Sequence, residues 1–270
     1  MSTPAATAET AQTRDLGPFA FVGRQTLEFL EHLGRYVRLV WWTVRNIANA
    51  RRHAENFFKQ MVLIGIESIP IVIFVSTFVG MVTAVQSAYQ IYAWVPRVVV
   101  GGLVIKSVLL ELTPLLTALV LAGKVGATIT AEIGSMRVTE QVDALEAMGF
   151  DSISFLVTPR ILAGILMFPV LVVFGNIVAV LGGYFGAVVI ANIPSGALLR
   201  GIKASFATWD ALYGLTKATF FGYTITSIAC YQGYYVKGGA EGVGNATMAT
   251  VVLTCLTIVL LDFILASVLL

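Results

Sequence analysis

Residues 161–194 read ILAGILMFPVLVVFGNIVAVLGGYFGAVVIANIP, without a single Asp, Glu, Lys or Arg. As a helix rising ~1.5 Å per residue, this run is about 50 Å long, against a bilayer hydrocarbon core of roughly 30 Å. It reads as a membrane span that must tilt, protrude or break. Pro169 and the glycines Gly182, Gly183 and Gly186 permit any of the three.

The rest of the chain agrees with that reading. Of its 270 residues 57% are apolar and only 12% are charged, about half the charge of an ordinary soluble domain, roughly 25%. Mean hydropathy is +0.86. A net charge of +2 offers nothing to a nucleic acid and is better explained by orientation in a membrane. Cys230 and Cys255 both fall in apolar runs and cannot form a disulfide framework. His32 and His53 have no Cys or His neighbours, so neither a metal site nor a cofactor is expected in this chain.

Working outward from residues 161–194, four more apolar runs are expected to cross the bilayer. They cover about 61–93, with Glu67 and Pro70 near the start, 98–123, 211–236 and 246–270. The fold class expected is all-α integral membrane, with about five spans. No cleavable signal sequence is visible, and residues 1–23, small and polar, read as a disordered cytoplasmic tail. Residues 24–52 are amphipathic: Phe29, Leu30, Leu33, Val37, Val40, Trp41, Val44 and Ile47 recur at helical spacing among Arg24, Arg35, Arg38, Arg45, Arg51 and Arg52. That pattern suits a helix lying in the headgroup layer. With the N-terminus inside, twelve of the seventeen Lys and Arg residues fall on cytoplasmic segments, which predicts a cytoplasmic N-terminus and an external C-terminus.

Charges inside spans are costly and need a reason. Glu111, Lys217 and Asp262 fall within the second, fourth and fifth runs. Two readings stay open: a polar element facing a cavity that binds an amphipathic molecule, or an ion pair that fixes helix packing. Leu110, Tyr89 and Tyr92 join these three as candidate cavity residues. The polar stretch 124–160 is expected to be a loop carrying a short helix, capped by Thr139 with Glu140 and Gln141, running through Val142, Leu145 and Met148 and ended by Gly149. It suits a docking site for a soluble partner, though composition alone favours a simple amphipathic connector lying on the membrane.

The wording of that loop, GKVGATITAEIGSMRVTEQVDALEAMG at 123–149, resembles the signature of the MlaE/YrbE family, the permease subunits of lipid-transporting ABC systems that work with MCE-domain proteins. So do ELTPLLTAL at 111–119, FVGMVTAVQ at 78–86, KGGAEGVGNAT at 237–247 and the pair Asp262-Phe263; the resemblance covers nearly the whole chain. Two positions depart from it: Leu110 stands where the family often has Arg, and Thr113 where it usually has Gly. Glu146-Ala-Met-Gly149, with Pro159 ten residues on, is more loosely similar to the docking loop of ABC importers.

The resemblance implies a single permease domain over 24–270 in a bacterial inner membrane. It implies a homodimer with two cytoplasmic ATPases, an MCE-protein assembly on the outer face, and lipid, most simply phospholipid, in a cavity between protomers. It makes 132–149 the coupling segment, with Glu132, Met136, Arg137, Glu140, Asp143, Leu145, Glu146 and Met148 as candidate contacts. No Gly-rich phosphate loop occurs, so ATP and Mg belong to the partner and this chain is no enzyme. An ion-coupled secondary transporter is the main alternative, but it typically shows internal repeats that are not evident here. A lipid-modifying enzyme would need a nucleophile-and-base set that is equally missing from the spans.

Overall fold

A computed structural model describes residues 18–46, 54–92 and 94–269. The chain divides into two compact units at Arg45/Asn46. The first unit contributes helix α1, Pro18–Arg45. It begins ahead of the expected start at residue 24. Leu30, Leu33, Val37, Trp41 and Val44 are exposed along it, while Arg35 pairs with Glu31 one turn away. Ile47, Arg51 and Arg52 lie outside the described residues.

Among its described residues the second unit holds seven helices: α2 (Ala54–Gln90), α3 (Val98–Val138), α4 (Gln141–Ala147), α5 (Ile153–Ile190), α6 (Ser195–Ser205), α7 (Thr208–Tyr234) and α8 (Gly239–Leu269). Four of them, α2, α3, α5 and α8, are long and apolar enough to cross a membrane. The fifth expected span, 211–236, forms α7. It has ample length at 27 residues, but it is more polar than the other four and is not counted with them. Its polar residues are covered by packing: α7 lies against α5, α3 and α8, Lys217 is buried among charged partners from α3 and α8, and the buried Thr224, Thr226 and Ser227 donate their hydroxyls to carbonyls of α7 itself. In a bilayer this is the arrangement that keeps polar side chains away from lipid.

Proline accompanies some of the irregular turns in the long helices and not others. Pro70 opens the part of α2 that follows a 3-10 turn at Ile66–Ser68, as the Glu67–Pro70 interruption suggests. The long run around Pro169 does not break: α5 is continuous from Ile153 to Ile190. It ends in a π turn, Gly186–Ile190, and begins with another, Ile153–Val157. The α2–α5 contact is close because a Cβ on Gly80 would lie 1.8 Å from the Ala179 carbonyl oxygen. Only glycine allows the two backbones to meet there.

The largest correction concerns residues 124–160. The second span does not end near residue 123; α3 continues as helix to Val138, through π turns at Val108–Leu112 and Ala122–Gly126. Polarity in the sequence suggested a loop, but one face of this extension is fully packed. Ile129 and Ile133 are buried, and Thr130 Oγ1 lies 3.1 Å from the Ala229 carbonyl of α7 and 2.9 Å from Thr250 Oγ1 of α8. Thr139 also differs from expectation. It ends α3, donating its hydroxyl to the Ser135 carbonyl, and Glu140 occupies the N-cap of α4 in a left-handed conformation (φ 59°). Gly149 (φ 81°) does terminate α4.

Candidate functional site

Three of the expected cavity residues converge. Lys217 of α7 has no exposed surface, and its Nζ lies 2.7 Å from Glu111 Oε2 of α3 and 2.6 Å from Asp262 Oδ1 of α8. The ammonium also sits 4.9 Å from the centre of the Tyr213 ring one turn earlier on α7, a favourable cation–π position. A lone buried ammonium would be prohibitive in this setting; two carboxylates and an aromatic face make it tolerable.

Local sequence builds the acceptor side. Pro114 has no N–H and crowds the carbonyl four residues earlier, which is that of Leu110. The helix widens into a π turn over Val108–Leu112, and Lys217 Nζ reaches within 3.5 Å of that Leu110 oxygen. Leu110 thus joins the site through its backbone, the part of it that the departure from Arg does not touch. π turns inside α-helices recur at functional sites. The cluster is lopsided: the Asp262 side chain is 13% exposed, whereas Glu111 is 41% exposed. One carboxylate is enclosed and the other opens outward.

Tyr89 and Tyr92 are not brought to this cluster. They stand 92% and 72% exposed beside the end of α2, where the Tyr92 ring stacks on Trp94 at 6.2 Å and 7°. Exposed aromatics at a helix end match the aromatic belt of a membrane–water boundary.

The eight candidate coupling residues separate into three environments. Glu132 and Met136 line a groove of about 960 Å³ between α2, α3 and α5. Glu132 there pairs with the buried Arg160 at 3.0 Å, while Arg160 also donates to the Leu156 carbonyl at 2.9 Å. Arg137, Asp143 and Glu146 belong to a network that holds α4. Arg137 donates to Asp143 at 2.6 Å, and Glu146 accepts from Ser152 Oγ at 2.6 Å and from Tyr234 Oη at 3.0 Å. The Ser152 hydroxyl on Glu146 holds its carboxyl below the usual range, helped by Tyr234 and by the charge of Arg137 against a smaller opposing effect of burial. Glu140 and Met148 stand exposed at the tip, and Leu145 is half-buried.

Sequence reading missed Ser152, Tyr234 and Arg160: Tyr234 meets Ser152 and Glu146 from more than eighty residues away, and Arg160 meets Glu132 across 28 residues. It also missed Val138 at the end of α3 and Phe150 just after Met148, both exposed apolar residues. A run of apolar residues flanking a short helix was the available signal.

Comparison with known proteins decides the family. The family model described as Permease MlaE matches residues 57–268, taking in the triad, the coupling segment and all five long helices of the second unit. The chain belongs to the MlaE permease family. Similar proteins include a probable ABC transporter permease protein of Rickettsia typhi, 36% identical over 248 residues that cover 92% of this chain and 96% of that one. The intermembrane phospholipid transport system permease protein MlaE of Haemophilus influenzae is 34% identical over 248 residues, 92% of this chain and 95% of its own length. A probable ABC transporter permease protein of Synechocystis is 37% identical over 221 residues, 82% and 84% respectively. This MlaE-family chain is therefore a membrane-embedded permease subunit of an ABC transporter, as the resemblance of its motifs implied.

Proposed function

We propose that this MlaE-family permease moves phospholipid between a bacterial inner membrane and an MCE-protein assembly on its outer face, driven by a separate cytoplasmic ATPase. The observation that carries the reading is the open half of the triad. Glu111 is a carboxylate at membrane depth with 41% of its side chain uncovered, and such a group needs a polar or hydrated cavity rather than bulk lipid. A second copy of the chain, facing the first across α3 and α8, would close that cavity. Its walls would be apolar for acyl chains, and the triad would sit at headgroup depth. The phospholipid named for the Haemophilus relative supports the cargo assignment.

The cytoplasmic side is assigned by charge. On the positive-inside rule the basic residues of the N-terminal segment, of the α3–α5 connection and of the α7–α8 turn would all lie in the cytoplasm. On that side α4 and the exposed Met148 and Phe150 offer an apolar, acidic docking surface for the ATPase, which would bind ATP and Mg. The permease then transmits the ATPase's motion to the cavity.

Purification of the tagged chain from its host in mild detergent, with mass spectrometry of proteins and lipids together, tests this reading. An ATPase, an MCE-domain protein and phospholipid should come down with it, and Glu111→Ala should lower the lipid recovered. A chain that arrives without an ATPase sinks the proposal.

A further inference from the structure

Helix α4 has seven residues, too few to be stable alone, so what holds it determines where it can send force. Val142 anchors it by burial, and the Arg137–Asp143 pair ties its first turn to α3. Its last turn is tied elsewhere. Ser152 and Tyr234 both direct their hydroxyl hydrogens at Glu146 Oε1, from 2.6 and 3.0 Å, with the two hydroxyls 2.9 Å apart. The Arg137 guanidinium lies 5.8 Å from the centre of the Tyr234 ring. The ends of α3 and α7 and the two flanks of α4 therefore meet on one phenol.

Tyr234 is the last residue of α7, and Lys217 lies on the same helix about 26 Å away at ~1.5 Å per residue. The chain neighbours of α4 are poor transmitters. α3 is interrupted by two π turns and Pro114, and α5 carries π turns at both ends and Pro169 within. α7 runs from Thr208 to Tyr234 without either. Helices yield at such interruptions.

We propose that Tyr234 is a coupling residue of this permease: its hydroxyl on Glu146 makes α7 follow α4, so that displacement of α4 reaches Lys217 and the Glu111–Lys217–Asp262 triad. Tyr234 is a positioning residue that acts through Glu146 and touches neither nucleotide nor cargo. The inference rests on the reading of α4 as the ATPase contact. A residue that merely secured the loop would change assembly and hydrolysis together, whereas a coupling residue changes the lipid moved per ATP hydrolysed.

The test uses the complete transporter reconstituted in phosphatidylethanolamine–phosphatidylglycerol vesicles with a fluorescent-tailed phospholipid. Tyr234→Phe keeps the ring beside Arg137 and leaves Ser152 on Glu146. ATP hydrolysis should persist while lipid moved per ATP falls about tenfold, the scale of one charge-assisted hydrogen bond. Glu146→Ala should give the same loss from the other end. The double variant should lose no more than Glu146→Ala alone, since that change already removes the tie to Tyr234 along with the bond from Ser152. Glu146→Gln, whose amide oxygen still accepts the phenol hydrogen, should retain most of the ratio. An unchanged ratio in Tyr234→Phe, or losses that add in the double variant, overturns the proposal; should Tyr234→Phe not accumulate, Glu146→Ala decides alone. A wild-type chain that assembles with no ATPase refutes instead the reading beneath it.

Discussion

Asp262 meets Lys217 at 2.6 Å, and this contact, rather than the one to Glu111, is the enclosed half of the triad: 13% of the Asp262 side chain is exposed, against 41% for Glu111. The two carboxylates therefore do different work on one ammonium. Asp262 sets α8 against α7, and Glu111 faces outward from α3.

Replacing the shared cation should be the most damaging change in the cluster. Lys217→Met leaves two carboxylates without their counter-charge and is expected to cost about 3–5 kcal/mol. It should show as lost accumulation in the membrane or a lower melting temperature in detergent. Glu111→Gln should accumulate normally and change bound lipid instead. Equal losses of accumulation in the two variants would mean that Glu111 is a packing group as well.

The α2–α5 interface admits no side chain at Gly80, where a Cβ would stand 1.8 Å from the Ala179 oxygen. Gly80→Val should destabilise by about 3 kcal/mol or more through forced separation of the helices. Gly123, with open space around its Cβ direction, is the matched control, and Gly123→Ala should be near neutral. Melting of the two variants in the same detergent makes the comparison, and similar midpoints would count against the close approach.

The carboxyl of Glu146 titrates below its ordinary 4.5, chiefly because Ser152 donates to it. A lowered folded-state pKa stabilises above the unfolded value and loses that contribution as pH falls through the folded one. The α4 tie should accordingly be indifferent to pH from 8 down to about 5 and loosen only in acid below the ordinary carboxylate range. Hydrogen exchange across residues 141–152 measures it. Loosening near neutrality would assign the tie to another group, and Glu146→Gln should abolish the acid transition.

Glu140 holds a left-handed backbone (φ 59°), which costs a residue with a side chain about 1–2 kcal/mol relative to glycine. Glu140→Gly should stabilise the α3–α4 junction by about 1 kcal/mol, read as slower hydrogen exchange, yet weaken ATPase association by removing an exposed acid. Glu140→Lys should weaken association more, with the junction unchanged. Asp143→Lys is a blunter probe because it also breaks the 2.6 Å contact with Arg137. Association unaffected by Glu140→Lys would move the docking surface elsewhere, with the apolar Met148 and Phe150 next in line.

The sequence carries the architecture because uncharged length is itself the physical requirement for crossing a bilayer: α5 and α8 are legible from composition alone. The extension of α3 to Val138 is not. Its polar residues mimic a loop, and the burial that makes it helix comes from Gly233, Ala229 and Thr250, about a hundred residues or more away in the chain. The triad is half legible in the same way. Charge in an apolar run marks Glu111, Lys217 and Asp262, but nothing local says that one cation serves both acids. Tyr89 and Tyr92 share the polar-aromatic chemistry of a cavity and stand instead at a helix end. Ser152 and Tyr234 carry no signal at all, since a hydroxyl beside a span is ordinary until its partner is in view.

The π turns at 108–112, 122–126, 153–157 and 186–190 bear on how this chain should be aligned with its relatives. Each turn takes up one residue more than an α-helical turn holds, bonding i to i+5 in place of i+4, so the residues beyond it keep the phase that the shorter helix would have given them. A relative lacking one residue inside such a window is not missing a piece of surface. It has closed a π turn into an α turn, and the helix beyond presents the same faces to the same neighbours. Single-residue gaps at these four places therefore leave the packing faces of α3 and α5 where they are, whereas a gap elsewhere in either helix would turn every following residue by about 100°.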